Sequence, residues 1–285
     1  MGSDLLFYES ADAYVEYYTV RNGYVAMNRA ETWDGTWTHI VPGHFDLSGN
    51  QQFVCYDAVT GAVELATVVP TPQGGGGTIF GQKLIGWQPG YDILVAGRFE
   101  NAGGTDQLLC YSRAMGAGET FQVEADEYPL RLSRLDGWRT SWTNIVPGSF
   151  GGQGIAGLLF YDAANRTGEF YAVDAGALTL LQNYTDWRTS WNGIVAGDFG
   201  GGGSTNLLFY DAAARTGEFY RVDGGAISLM KTNTDWRSSW VTIVAGNFSG
   251  GPHDDLLFYD RGSGTGEFWR VNRGDVTLVR SHTDW

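Results

Sequence analysis

The chain has 285 residues, with 42 glycines, eleven tryptophans, 14% aromatic and 18% charged residues, and a formal net charge of −14. It is too aromatic to be disordered. With only two lysines, Lys83 and Lys231, and no basic cluster, it has no means of neutralising a phosphate backbone, so a nucleic-acid partner is excluded.

The Met-Gly-Ser-Asp start lacks the basic residues and apolar stretch of a signal peptide. No apolar run approaches the ~18 residues of a membrane span, so none is expected. The two cysteines make no disulfide framework, and no Cys/His spacing suggests a metal. Abundant Gly and aromatics without helical periodicity point to many short strands joined by tight turns.

A repeat organises the chain. Leu-Leu-Phe-Tyr-Asp occurs at 158–162, 207–211 and 256–260, with looser copies starting at Leu5, Phe53 and Leu108. Each copy is followed eleven residues on by a glutamate: Glu16, Glu64, Glu119, Glu169, Glu218 and Glu267. A tryptophan then recurs at Trp33, Trp87, Trp138, Trp187, Trp236 and Trp285. A second aromatic follows four residues later, at Trp37, Tyr91, Trp142, Trp191 and Trp240.

Within one unit, four strands are predicted in order. They are Ile194 to Phe199, Leu207 to Asp211, Gly217 to Asp223 and Ala226 to Met230, each bounded by Gly, Asn or Asp. Both faces of such a sheet are apolar, so each sheet is covered on both sides. Four strands in about 49 residues is the pattern of a propeller blade. The expected architecture is therefore all-β: a six-bladed β-propeller of four-stranded antiparallel blades forming a single domain over residues 1–285, with units starting near 5, 53, 108, 158, 207 and 256.

The stretch Val195-Ala-Gly-Asp-Phe199, leading through a Gly-rich turn into Leu207-Leu-Phe-Tyr-Asp211, resembles the FG-GAP/VCBS-type propeller repeats. In that family the turn often carries an Asp-rich calcium loop. Here the turns read Asp46 to Asn50, Glu100 to Gly104, Gly151 to Gly154, Gly200 to Gly203 and Ser249 to Pro252. None offers the alternating carboxylates that calcium needs. No cofactor or metal is expected, and Asp254 with Asp255 is the nearest approach to an acidic pair.

The last unit stops at Trp285, before its second aromatic and its Ile-Val-Ala-Gly strand. Completing the ring by the repeat calls for about fifteen more residues. If the family's strand order applies, residues 5–30 form a three-stranded blade lacking its innermost strand. Completion by another chain, giving an oligomer, is one way to fill that place.

Three units read Trp-Arg-Thr/Ser-Ser-Trp, and Asp186 and Asp235 precede two of them. Trp offers a flat apolar face to a sugar ring, while Asp and Arg supply directional hydrogen bonds to hydroxyls. The candidate ligand-binding residues are Trp138, Arg139, Asp186, Trp187, Arg188, Asp235, Trp236 and Arg237. In the first two units, Asp34 and Gln88 replace the arginine. The expected function is a non-enzymatic, multivalent, lectin-like module whose partners are glycans, with the second aromatic of each pair assigned to packing between blades.

Two alternatives stand beside it: a protein-binding or adhesion domain of a larger exported protein, and an enzyme working in the central channel. A secreted or extracellular setting goes with the lectin and adhesion readings. The six glutamates open strands of one type and are expected to serve the blades, because catalysis needs an asymmetric constellation. No catalytic residue is assigned. Cys55 and Cys110 replace the phenylalanine of other units and are expected to be buried thiols too far apart to pair. Gly74 to Gly77 reads as a surface insertion.

Overall fold

The computed structural model describes residues 3–33, 35, 37–70, 76–99, 104–150 and 156–285. Asp34, Gly74, Gly75 and the turns beginning at Glu100 and Gly151 lie outside the described residues. Blade 1 comprises β1 (Leu5–Glu9), β2 (Tyr14–Arg21) and β3 (Tyr24–Thr32). Blade 2 comprises β4 (His39–Gly43), β5 (Gln51–Asp57), β6 (Ala62–Pro70) and β7 (Gly76–Phe80).

Blade 3 has β8 (Ile93–Gly97), β9 (Gln107–Ser112), β10 (Ala117–Gln122) and β11 (Leu130–Asp136). Blade 4 has β12 (Asn144–Gly148), β13 (Gly157–Asp162), β14 (Thr167–Asp174) and β15 (Ala177–Tyr184). Blade 5 has β16 (Gly193–Gly197), β17 (Asn206–Asp211), β18 (Thr216–Asp223) and β19 (Ala226–Asn233). Blade 6 has β20 (Thr242–Gly246), β21 (Asp255–Asp260), β22 (Thr265–Asn272) and β23 (Asp275–His282).

Each sheet is a meander of antiparallel strands: five have four strands and blade 1 has three. The architecture is the six-bladed β-propeller that the repeat predicts. In blade 5, Ile194 pairs with Phe209, and Phe209 with Glu218. The outer strand runs three residues beyond the predicted Met230. A register shift between Phe219 and Tyr220 lets Lys231, Thr232 and Asn233 continue the ladder. The predicted strand stops at Met230 because a bulge lengthens an edge strand without lengthening its apolar run.

Aromatic and aliphatic side chains from adjacent blades make a core at every junction. Val20, Phe248, Leu257 and Phe268 join blade 6 to blade 1. Val15, Trp33 and Cys55 join blade 1 to blade 2, and the remaining junctions follow the same scheme. Each inner strand ends on a glycine under a phenylalanine ring: a Cβ on Gly197 would come within 2.8 Å of the Phe199 ring, and Gly148 and Phe150 repeat the arrangement. The close approach explains why Ile-Val-x-Gly-x-Phe recurs. Inner strands β4, β8, β12, β16 and β20 stand side by side in that order. At the sixth place, no inner strand flanks β1 among the described residues.

Cys55 and Cys110 are buried free thiols. Burial, followed by the charges of Glu64 and Glu119 respectively, pushes both well above the usual thiol range, as fits inert packing groups.

Candidate functional site

The predicted Trp/Arg/Asp residues come together at the blade junctions. At Trp138, Trp187 and Trp236 the indole lies flat on a glycine of its own blade, Gly118, Gly168 or Gly217, where any Cβ would overlap the ring. The same indoles meet Phe160, Phe209 and Phe258 of the following blade edge-to-face, with centroids 4.9, 5.2 and 5.0 Å apart. Wedging thus falls to the first tryptophan of each pair as well as to the second, of which Trp142 and Trp240 are buried.

The arginines are equally committed. Arg139, Arg188 and Arg237 lie over the rings of Trp142, Trp191 and Trp240 at 4.7, 4.7 and 5.0 Å. Each also reaches the glutamate of the next blade. Arg188 donates to Glu218 and Arg237 to Glu267 at 2.6 Å, and Arg139 makes the same bond to Glu169. Asp186 and Asp235 adopt φ of 64° and 63°, a left-handed conformation that Asp tolerates in turns. Asp186, Trp187 and Arg188 line a shallow pocket of 180 Å³ with Glu218 and Tyr220.

Glu169, Glu218 and Glu267 therefore act as inter-blade anchors. In blades 4, 5 and 6, one carboxylate oxygen accepts from the arginine and the other from the aromatic two residues on. Those second bonds come from Tyr171 at 2.6 Å, Tyr220 at 2.7 Å and the Trp269 indole at 3.0 Å. Where Gln88 replaces the arginine, Glu119 recruits Arg131 and Arg134 of its own outer strand and the Tyr91 hydroxyl instead. Burial pushes the Glu119 carboxyl up, but these donors outweigh it and hold it below the usual range.

Blade 1 breaks the pattern. Glu16 Oε2 accepts from Tyr18 at 3.0 Å, but no arginine among the described residues reaches Oε1. Both residues line a cleft of 760 Å³ between blades 6 and 1, with Phe7, Glu9, Tyr14, Tyr259, Arg261 and Trp285 among its walls. Arg261 donates to Glu9 across the cleft at 3.1 Å. Burial first, and then the Glu16 hydrogen bond, push the Tyr18 phenol up to about 12.

This cleft occupies the place that an inner strand fills in the other five blades. It was missed in the sequence because its walls come from opposite ends of the chain. The acidic pair goes to structure: Asp254 accepts from the backbone N–H of Asp198 and Asp255 from that of Ser249. Among the described residues no His/Cys/Asp/Glu group has the arrangement to hold a metal ion.

No protein-family model and no curated protein matches the chain. The resemblance to FG-GAP/VCBS repeats thus carries no further than the propeller itself. Among solved structures, the periplasmic gluconolactonase of Pseudomonas aeruginosa superimposes with a TM-score of 0.59 at 12% identity, covering 95% of this chain and 77% of that one. A Bacteroides fragilis protein with a provisional 6-phosphogluconolactonase name gives 0.54 at 11% identity, covering 98% and 80%. BBS1N, solved in complex with ARL6DN, gives 0.56 at 8% identity, covering 99% and 78%.

At these identities the likeness shows the fold. It nevertheless corrects the expectation of a non-enzymatic, lectin-like module: the neighbours include proteins named as lactonases, and none of these three is a lectin. The physical reason for the misreading is that tryptophans and arginines able to grip a sugar are here spent on holding blades together.

Proposed function

We propose that the chain is a hydrolase of small sugar-derived lactones, working in the cleft between blades 6 and 1. The observation that carries this reading is asymmetry. Five blades bury their glutamate, whereas Glu16 turns one carboxylate oxygen into an open cleft shared with Tyr14, Glu9 and Arg261. A cleft of 760 Å³ falls within the range of small-molecule sites. The fold likeness to a gluconolactonase supplies the reaction class, which on its own is an analogy.

In this reading Glu16 Oε1 takes a proton from water as that water attacks the lactone carbonyl. The ring C–O bond then breaks, and the departing alkoxide recovers the proton from Glu16, leaving an open hydroxy acid. Tyr18 holds the other carboxylate oxygen and so fixes the direction of the free one. Arg261 supplies positive charge for the developing oxyanion or for an anionic substituent of the sugar.

A pH-stat assay on gluconolactone and 6-phosphogluconolactone, corrected for spontaneous opening, tests the proposal. Wild type should hydrolyse at least one substrate. Glu16→Gln should lose roughly 100-fold or more in kcat, and Arg261→Met should raise KM for the phosphorylated substrate. Hydrolysis at the uncatalysed rate, or an undiminished kcat in Glu16→Gln, would overturn it. The periplasmic setting of the Pseudomonas neighbour supports an exported location, which cell fractionation checks.

A further inference from the structure

The three Trp-Arg-x-Ser-Trp junctions share their clamps and differ in what they leave open. Between blades 3 and 4, and between blades 5 and 6, the second tryptophan is buried, as Trp142 and Trp240. Between blades 4 and 5, Trp191 is only partly buried. Four rings there, Trp187, Trp191, Phe209 and Tyr220, line the 180 Å³ pocket together with Ile227. That volume lies below the ~300 Å³ at which pockets begin to enclose drug-sized ligands, so the pocket takes one small group.

The hydrogen-bonding capacity of its walls is largely spent. Glu218 Oε1 accepts from Arg188, and Oε2 accepts from Tyr220. The Arg188 guanidinium lies over the Trp191 ring at 4.7 Å and stands 3.9 Å from Asp211. A ligand rich in hydroxyls, or an anion seeking a guanidinium, meets groups that are already engaged. The Asp186 carboxylate is different: it sits at the rim, 88% exposed, with the exposed Arg166 3.8 Å away.

The balance of charge favours a cation. Around the pocket, the carboxylates of Asp186, Asp211 and Glu218 outnumber the guanidiniums of Arg188 and Arg166, and aromatic faces add negative potential. The described residues offer no ligand set for a metal ion. A primary ammonium would surrender its water for acceptors that are already taken. A quaternary ammonium spreads its charge over methyl groups and needs no acceptor, and aromatic rings beside a carboxylate are the surroundings that hold it.

We infer that the pocket between blades 4 and 5 binds a quaternary ammonium group. Its methyl groups rest on the rings of Trp187, Trp191 and Tyr220, and Asp186 attracts the charge from the rim. The corresponding places elsewhere differ. Gly137 takes the left-handed position of Asp186 between blades 3 and 4, and Trp240 is buried between blades 5 and 6. The chain therefore carries one such site. It lies at a different junction from the cleft between blades 6 and 1 and is read without turnover, so it stands or falls separately from the hydrolase reading.

The test titrates choline chloride into the full chain at constant ionic strength, following the tryptophan indole N–H resonances. The uncharged tert-butyl isostere of choline, with carbon in place of nitrogen, is the control. Saturable shifts are expected at Trp187 and Trp191, with choline bound roughly tenfold more tightly than the isostere. Asp186→Asn, whose backbone conformation asparagine also tolerates, should weaken choline roughly threefold and leave the isostere unchanged. Tyr220→Leu should weaken choline roughly tenfold; the comparison of choline with its isostere in the unaltered chain stands even if that variant fails to fold.

No saturable shift, equal binding of the isostere, or shifts centred on Trp138 or Trp236 would overturn the site. A response to glucose with none to choline would overturn the ligand class in favour of a neutral polyol.

Discussion

Blades 1 and 5 are built from the same repeat and end in different chemistry. In blade 5, Glu218 is buried, clamped by Arg188 and Tyr220. In blade 1, Glu16 keeps the aromatic hydroxyl and has no arginine among the described residues. One neighbouring strand makes the difference. With it, a carboxylate is an anchor whose charge is spent; without it, the same carboxylate stands in a cleft with an open coordination face.

The sharpest way to break the comparison is at the glycine under the indole. Gly217→Val should cost about 3 kcal/mol, because Trp236 already covers that position; urea denaturation measures it. Blade 1 carries Val15 at the same register, fully buried beside Trp33, so a branched side chain is not itself incompatible with a blade.

A smaller contrast lies in the glutamates. Glu218→Gln should destabilise by about 1–2 kcal/mol, since the Arg188 half of the pair is half-exposed and partly screened. Glu16→Gln should change stability by less than about 0.5 kcal/mol. Equal losses in denaturant titrations would mean that blade 1 is as tightly anchored as blade 5.

The tyrosines grade the same idea. Tyr210 donates to the Arg237 carbonyl at 2.5 Å, whereas Tyr259 reaches only the Trp285 carbonyl at 3.5 Å. Tyr210→Phe should lower stability by about 1 kcal/mol and Tyr259→Phe by clearly less.

The smallest effect concerns pH. Burial and the Glu16 bond hold the Tyr18 phenol at about 12, above the ordinary value near 10. The unfolded chain therefore releases that proton first. The contribution of Tyr18 to stability is intact below pH 10 and is lost as pH rises towards 12. Tyr18→Phe should flatten that part of the stability profile.

Much of the fold was legible because each blade's contacts are local in sequence. Leu207 to Asp211, the Gly-Glu-Phe run and the Ile-Val-Ala-Gly strand lie within one repeat and pair with one another. The extension of β19 through Asn233 was not legible, since the bulge at Phe219 is a backbone irregularity with no apolar signature. The roles of the Trp-Arg-x-Ser-Trp segments were half legible. Their recurrence marked equivalent places, but their partners lie one blade away. Arg188 meets Glu218 thirty residues on, and nothing in either segment says whether the guanidinium is free or engaged. Reading it as free produced the lectin expectation.

The sequence by itself determined the period, the blade and the number of blades, because these are properties of a repeated local code. Only the tertiary structure decided which side chains meet where blades 6 and 1 join. Ring closure brings Leu5 and Trp285 into one hydrophobic cluster, beside a cleft lined by Glu16 and Arg261. A local code repeats, whereas a closing contact happens once. The function proposed here depends on that single unrepeated junction.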